Sequence, residues 1–160
     1  MNNFKIREIK KSDDRVIERI IRDCLIEYGA DHEGTAWADP DLSRFSEIYN
    51  TKDCRYFVAE NEAGEVVGGV GIGRLGGTDR ICELQKMYCV PSARGTGVAG
   101  CLLKTALSFA ARFYNAVYLE TLNNMHAAMR FYEKHGFRRC EKIGGVTEHF
   151  ACDICYIKDL

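Results

Sequence analysis

The chain has 160 residues, 46% hydrophobic and 28% charged, which is the composition of a soluble globular protein with room for one domain, 1–160, and a sizeable core. A net charge of −1 with a sequence pI near 6.4 leaves no global field to recruit nucleic acid or an anionic membrane. No apolar run reaches transmembrane length, and the opening Met1-Asn2-Asn3-Phe4-Lys5-Ile6-Arg7 alternates with charge, so the chain is expected in the cytoplasm.

Phe4, Ile6 and Ile9 predict a first strand. Ser12, Asp13 or Asp14 can cap a helix striped by Val16, Ile17, Ile20, Ile21, Cys24 and Leu25, with Gly29 as its stop. A polar link around Trp37 and Pro40 precedes a short helix over 42–49. Strands follow at 56–60 and 65–72, joined by the turn Asn61-Glu62-Ala63-Gly64, and a glycine-rich link leads to a strand over 81–90. Then come a loop, a helix over 98–113, a strand over 116–121 and a helix over 125–135 ended by Gly136. Two strands, 138–143 and 149–158, close a mixed α/β domain with helices on both faces of its sheet.

Eight cysteines, at 24, 54, 82, 89, 101, 140, 152 and 155, lie within these elements. Lacking the pattern of a disulfide framework, they are expected to be buried small apolar residues. Cys152 and Cys155 have CxxC spacing, but residues three apart in a strand face opposite ways and no second ligand pair is spaced for a metal. His32, His126, His135 and His149 are scattered singly and are expected on the surface or in packing.

The most informative run is Arg94-Gly95-Thr96-Gly97-Val98-Ala99, between a strand and a helix. Two glycines permit positive φ and close backbone approach, and the helix start offers unpartnered N–H groups at the positive end of its dipole. Together they form a cradle for a phosphate-bearing molecule.

Arg94-x-x-Gly97-x-Ala99 resembles the Q/R-x-x-G-x-G/A signature of the GNAT (Gcn5-related N-acetyltransferase) superfamily. Ala128-Met129-Arg130-Phe131-Tyr132-Glu133-Lys134-His135-Gly136-Phe137 resembles that family's later helix end, and the element order is the family order across essentially the whole chain. The resemblance implies a GNAT-like α/β fold: a mixed sheet of six to seven strands, splayed where acetyl-CoA binds. It implies acetyl-CoA as donor and a small-molecule or peptide amine as acceptor.

On this resemblance the cofactor pyrophosphate lies on the backbone from Arg94 through Gly95, Thr96, Gly97 and Val98 to Ala99, and the pantetheine arm pairs with the strand edge at Tyr88, Cys89 and Val90. The N–H of Cys89 or Val90 is placed to polarise the thioester carbonyl. Met125 stands where relatives often carry Asn, so Asn123 or Asn124 is expected to supply that cofactor contact. Tyr132 is the family's general acid, able to protonate the departing thiolate; the alternative is an aromatic packing beside Phe131.

Glu83 is the candidate general base, at the position where some histone-acetylating members carry a catalytic glutamate. Strict alternation puts Glu83, Gln85, Met87 and Cys89 on one face and Leu84, Lys86, Tyr88 and Val90 on the other. Half-burial raises a carboxyl pKa toward neutrality, which suits deprotonating an ammonium. A surface charge paired with Lys86 or Arg80, with a water chain as base, is the other reading.

In this fold the link between the first two helices roofs the acceptor. Here it holds Asp23, Glu27, Asp31, Glu33, Asp39 and Asp41 with no Lys or Arg between Arg22 and Arg44, which attracts a cationic amine or is simply solvated. Tyr28 and Trp37 are available to stack on the acceptor. Direct attack of the amine on the thioester needs no acetyl-cysteine, although Cys89 lies near enough to serve as one. A non-catalytic acyl-CoA-binding regulatory module is the alternative function. The closing strand with Cys152, Ile154 and Tyr156 either pairs across a homodimer interface or lies buried in the monomer.

Overall fold

The computed structural model describes residues 3–143 and 149–160; Met1 and Asn2, where the N-terminal reading begins, lie outside them. In chain order the elements are β1 (Lys5–Glu8), α1 (Asp14–Glu27), α2 (Phe45–Ile48), β2 (Arg55–Glu60), β3 (Val66–Arg74), β4 (Ile81–Cys89), α3 (Val98–Ala110), β5 (Ala116–Thr121), α4 (His126–Lys134), β6 (Arg138–Cys140) and β7 (Ile154–Asp159). They build one seven-stranded sheet in the order β1-β2-β3-β4-β5-β7-β6. Only β4 and β5 pair in parallel, so the sheet is mixed. No helix among the described residues is long and apolar enough to cross a membrane.

The apolar stripe of α1 (Ile17, Ile20, Ile21, Cys24, Leu25) packs with Phe45 of α2 and with Tyr56 and Val58 on one face of the sheet. On the other face α3 buries Val98, Leu102, Leu103 and Ala106, and Tyr132 of α4 and Phe137 beyond it join the same cluster. Gly29 ends α1 at φ +67, as expected. The second helix is a single turn rather than 42–49, and α3 stops three residues before Phe113.

Two features of β4 depart from a regular strand. Its register with β3 runs Gly69↔Tyr88 and then Gly71↔Gln85, so β4 spends three residues where β3 spends two. Lys86 absorbs the extra residue at φ +50, a β-bulge. The bulge corrects the expected alternation. Cys82, Leu84, Met87 and Cys89 pack toward α3, while Tyr88 joins the α1 cluster and Lys86 reaches Asp39 on that same side. Gln85 also faces this side, since its carboxamide lies over Gly73 and meets Tyr49.

The second feature is the splay. β4 pairs with β5 only through Ile81↔Ala116, Cys82↔Val117 and Glu83↔Tyr118. From Leu84 to Cys89 its edge toward β5 is unpaired.

The closing strand begins at Ile154, so Cys152 precedes it, and β7 has β5 on one side and β6 on the other. Of the two readings of that strand, the structure takes the one buried in the monomer. All eight cysteines are free. Cys24, Cys82, Cys152 and Cys155 are buried and Cys54, Cys89 and Cys140 half-buried, but Cys101 is exposed on α3, off its buried stripe, which corrects the expectation of uniform burial.

Candidate active site

The splay opens a cavity of about 600 Å³ between β4, β5, α1, α3 and α4. At one end is the loop from Arg94. Gly95 and Gly97 hold φ +75 and +91, and a Cβ on either would touch nothing, so the space above the loop is open for a ligand. The first helical bond of α3 runs from Cys101 N–H to the Gly97 carbonyl at 3.2 Å, which leaves the N–H groups of Val98, Ala99 and Gly100 without helical acceptors. Arg94, Gly95, Gly97, Val98 and Ala99 line the cavity, whereas Thr96 turns its hydroxyl back onto the Ala93 carbonyl and does not. The Arg94 guanidinium is engaged by Glu27 at 2.8 and 2.7 Å and by the Cys89 carbonyl at 3.3 Å.

Tyr88 and Cys89 line the middle of the cavity; Val90 does not. The Val90 N–H donates to Val67 at 2.8 Å and is committed to the sheet. Antiparallel pairing alternates, so the neighbouring Cys89 N–H points away from β3 toward the open edge. Of the two expected amide donors, only that of Cys89 is free to act. Burial pushes the Cys89 thiol up to about 12, which disfavours the thiolate that an acyl-cysteine route needs.

Tyr132 lines the cavity from α4. Its ring meets Phe131 and Phe137 at centroid distances of 5.6 Å each. Its hydroxyl has no protein partner among the described residues, and burial raises its pKa, so it is a held phenol proton facing the cavity.

Glu83 lines the same cavity. Burial raises its carboxyl pKa, Glu120 raises it further, and the hydrogen bond from Gln85 Nε2 at 2.5 Å partly opposes both. Gln85 in turn accepts the Tyr49 hydroxyl at 2.6 Å.

Above Glu83, the acidic link meets the segment entering β7. Asp39 accepts His149 Nε2 at 2.9 Å and Lys86 Nζ at 2.6 Å. Burial pushes the Asp39 carboxyl up, but these two partners outweigh it and hold it below the usual range.

Several expected contacts lie elsewhere. Asn124 donates to the Tyr28 carbonyl at 2.9 Å and Asn123 reaches Asp153 at 3.4 Å, so neither lines the cavity. Met125 does line it, with the Thr121 hydroxyl on its sulfur at 3.3 Å. Trp37 stacks under Arg22 at 4.7 Å and does not line the cavity, whereas Tyr28 does. The sequence reading missed Glu120, which lines the cavity from β5; its signal is a carboxylate within the strand, directly after the apolar run Ala116–Leu119. It also missed His135 and His149, both cavity-lining.

A family description, "Acetyltransferase (GNAT) domain", matches residues 52–139, which run from before β2 into β6 and include the walls that β4, β5, α3 and α4 give this cavity. An Escherichia coli K12 protein described as the uncharacterized N-acetyltransferase YjgM is 37% identical over the full length of both chains. The chain belongs to the GNAT acetyltransferase family.

Solved structures agree on the GNAT fold. An acetyltransferase of GNAT family from Staphylococcus aureus Mu50 superposes with TM-score 0.83 at 22% identity, covering 98% of this chain and 99% of that one. An acetyltransferase from Streptococcus agalactiae 2603 gives TM-score 0.85 at 21% identity, covering 98% of each. As a GNAT enzyme the chain is an acyl-CoA-dependent N-acyltransferase, and the free N–H groups of α3 and the unpaired β4 edge fit such a donor.

Proposed function

We propose that residues 1–160 form one catalytic domain that moves an acetyl group from acetyl-CoA to an amine, the amine nitrogen attacking the thioester directly in a ternary complex. The observation that carries this reading is that one cavity joins the N–H groups of α3 without helical acceptors, the β4 edge and the Tyr132 hydroxyl, both without partners among the described residues, and the buried Glu83 carboxyl. Acetyl-CoA supplies the activated acetyl group. Gly95, Gly97, Val98 and Ala99 hold its pyrophosphate, and the edge at Tyr88 and Cys89 aligns its arm.

Glu83 takes the proton of the incoming ammonium, its raised pKa bringing it closer to the amine's than an exposed carboxyl would be. The Cys89 N–H points toward the edge where carbonyl charge develops. Tyr132 gives its proton to the departing sulfur. Alignment of donor and acceptor along one groove supplies most of the acceleration.

The test is CoA release over a panel of small amines and peptides, with mass detection of the acetylated product. Product bearing one added acetyl group supports the reading. Acetyl-CoA binding with no transfer to any amine would overturn it.

A further inference from the structure

The acceptor end of the cavity carries more negative charge than one proton-abstracting group needs. Among the described residues Glu83 is bonded there only by the neutral Gln85 amide. On the adjacent strand, Glu120 lines the same cavity with its side chain only 3% exposed. Its Oε2 accepts the Tyr118 hydroxyl at 2.6 Å, and the Lys142 ammonium stands 4.0 Å from that same oxygen, with its own side chain 42% exposed. Its Oε1 is buried and accepts no hydrogen bond among the described residues. A buried carboxylate oxygen without a donor is costly, and folded proteins leave few of them.

The other N–H donors facing this end are committed among the described residues. Lys86 and His149 both face Asp39, at 2.6 and 2.9 Å. What the Glu120 Oε1 lacks is an N–H donor, and a charged donor also relieves the repulsion between two carboxylates sharing one cavity.

We propose that Glu120 binds a second cationic nitrogen of the acceptor, so that this enzyme prefers short diamines over amines with a neutral or anionic tail. The inference rests on the acetyl-transfer reading above and divides the labour of the two carboxylates. Glu83 serves the attacking nitrogen and Glu120 the distal one. Glu83 lies opposite Tyr118, and Glu120 two residues further along β5. Strand spacing and rise then separate the two backbones by roughly 8 Å, which a short diamine lying between the side chains suits. An anionic tail meets two carboxylates and is repelled; a neutral tail offers the Glu120 Oε1 at most an uncharged, weaker donor.

The test uses the CoA-saturated protein and compares calorimetric binding of putrescine with that of aminobutanol, which differs only in its neutral end. Putrescine is expected to bind at least about tenfold more tightly, the size of one charge-assisted hydrogen bond. In Glu120→Gln that ratio is expected to collapse toward one while affinity for CoA is kept. Glu120→Asp, which retains the charge, is expected to keep part of the preference. Equal binding of the two amines by the unmodified protein would overturn the inference, as would a preference that survives Glu120→Gln. Selective putrescine binding with no acetyl transfer to putrescine or to any other amine tested would sink the transfer reading and leave this site standing.

Discussion

Gln85 donates its side-chain amide to the Glu83 carboxylate at 2.5 Å, the one hydrogen bond among the described residues that favours the charged form of this buried acid. A general base must be ionised to act, so kcat/KM is expected to rise with pH through the raised Glu83 pKa. Gln85→Leu removes the stabilising bond, moves that limb to higher pH and loses most activity below neutrality, with recovery in alkali. Glu83→Gln is expected to lower kcat by about 100- to 10,000-fold. Stability has the opposite sign. The folded state binds the Glu83 proton more tightly than the unfolded chain, so this group's contribution is present in acid and lost as pH rises through the folded pKa. Glu83→Gln should flatten that part of the stability profile, measured by urea unfolding across pH. A pH–rate profile unmoved by Gln85→Leu would remove Glu83 from the chemistry.

Tyr132→Phe separates the phenol from its ring. The packing against Phe131 and Phe137 is kept, and no protein hydrogen bond is lost among the described residues, so the melting temperature and acetyl-CoA affinity are expected to hold. Turnover is expected to fall by about 100-fold or more, because the sulfur leaves without a proton donor. Single-turnover CoA release beside a thermal shift with CoA reads both. Equal loss of binding and turnover would instead mark Tyr132 as a packing residue.

The loop was legible in the sequence because its chemistry is local: glycines at 95 and 97 and a helix start are enough to define the cradle. The bulge was not, because Lys86 at φ +50 follows from partners far along the chain. The Tyr56 hydroxyl reaches the Lys86 carbonyl at 2.8 Å, passing over Gly69. Glycines 69, 71 and 73 form one bare face of β3, on which Tyr56, Tyr49 and Gln85 lie; this spacing was the available signal. Glu120 escaped notice for a related reason. Strand alternation says that a residue faces inward, but only the splay from Leu84 onward turns that position into a cavity wall.

Gly97→Ala tests the cradle through the backbone alone. Gly97 caps α3 in the left-handed region at φ +91, and a Cβ there would meet no atom within 4 Å. The penalty is therefore conformational, about 1–2 kcal/mol. Either the fold bears it, lowering the urea midpoint, or the loop relaxes and CoA binds more weakly. Calorimetric titration of CoA with urea unfolding measures the two together. A variant unchanged in both would show that the left-handed cap is dispensable.

Asp39 joins three segments: its own link between α1 and α2, the bulge at Lys86 and the His149 segment before β7. Lys86 and Asp39 are only 11% and 14% exposed, so the pair is largely shielded from water. Removing one partner of such a pair leaves a buried charge uncompensated, and Asp39→Asn is expected to cost about 3 kcal/mol. The Asp39 carboxyl titrates below its ordinary value, so the stabilisation it brings is present at neutral pH and lost as pH falls through its folded pKa. The destabilisation by Asp39→Asn should therefore be large near neutrality and shrink in acid. His149 lines the acceptor end of the cavity, so the acceptor KM should rise more than the acetyl-CoA KM. Equal rises in both constants, or a stability loss independent of pH, would show that Asp39 acts on the fold as a whole rather than on the acceptor end.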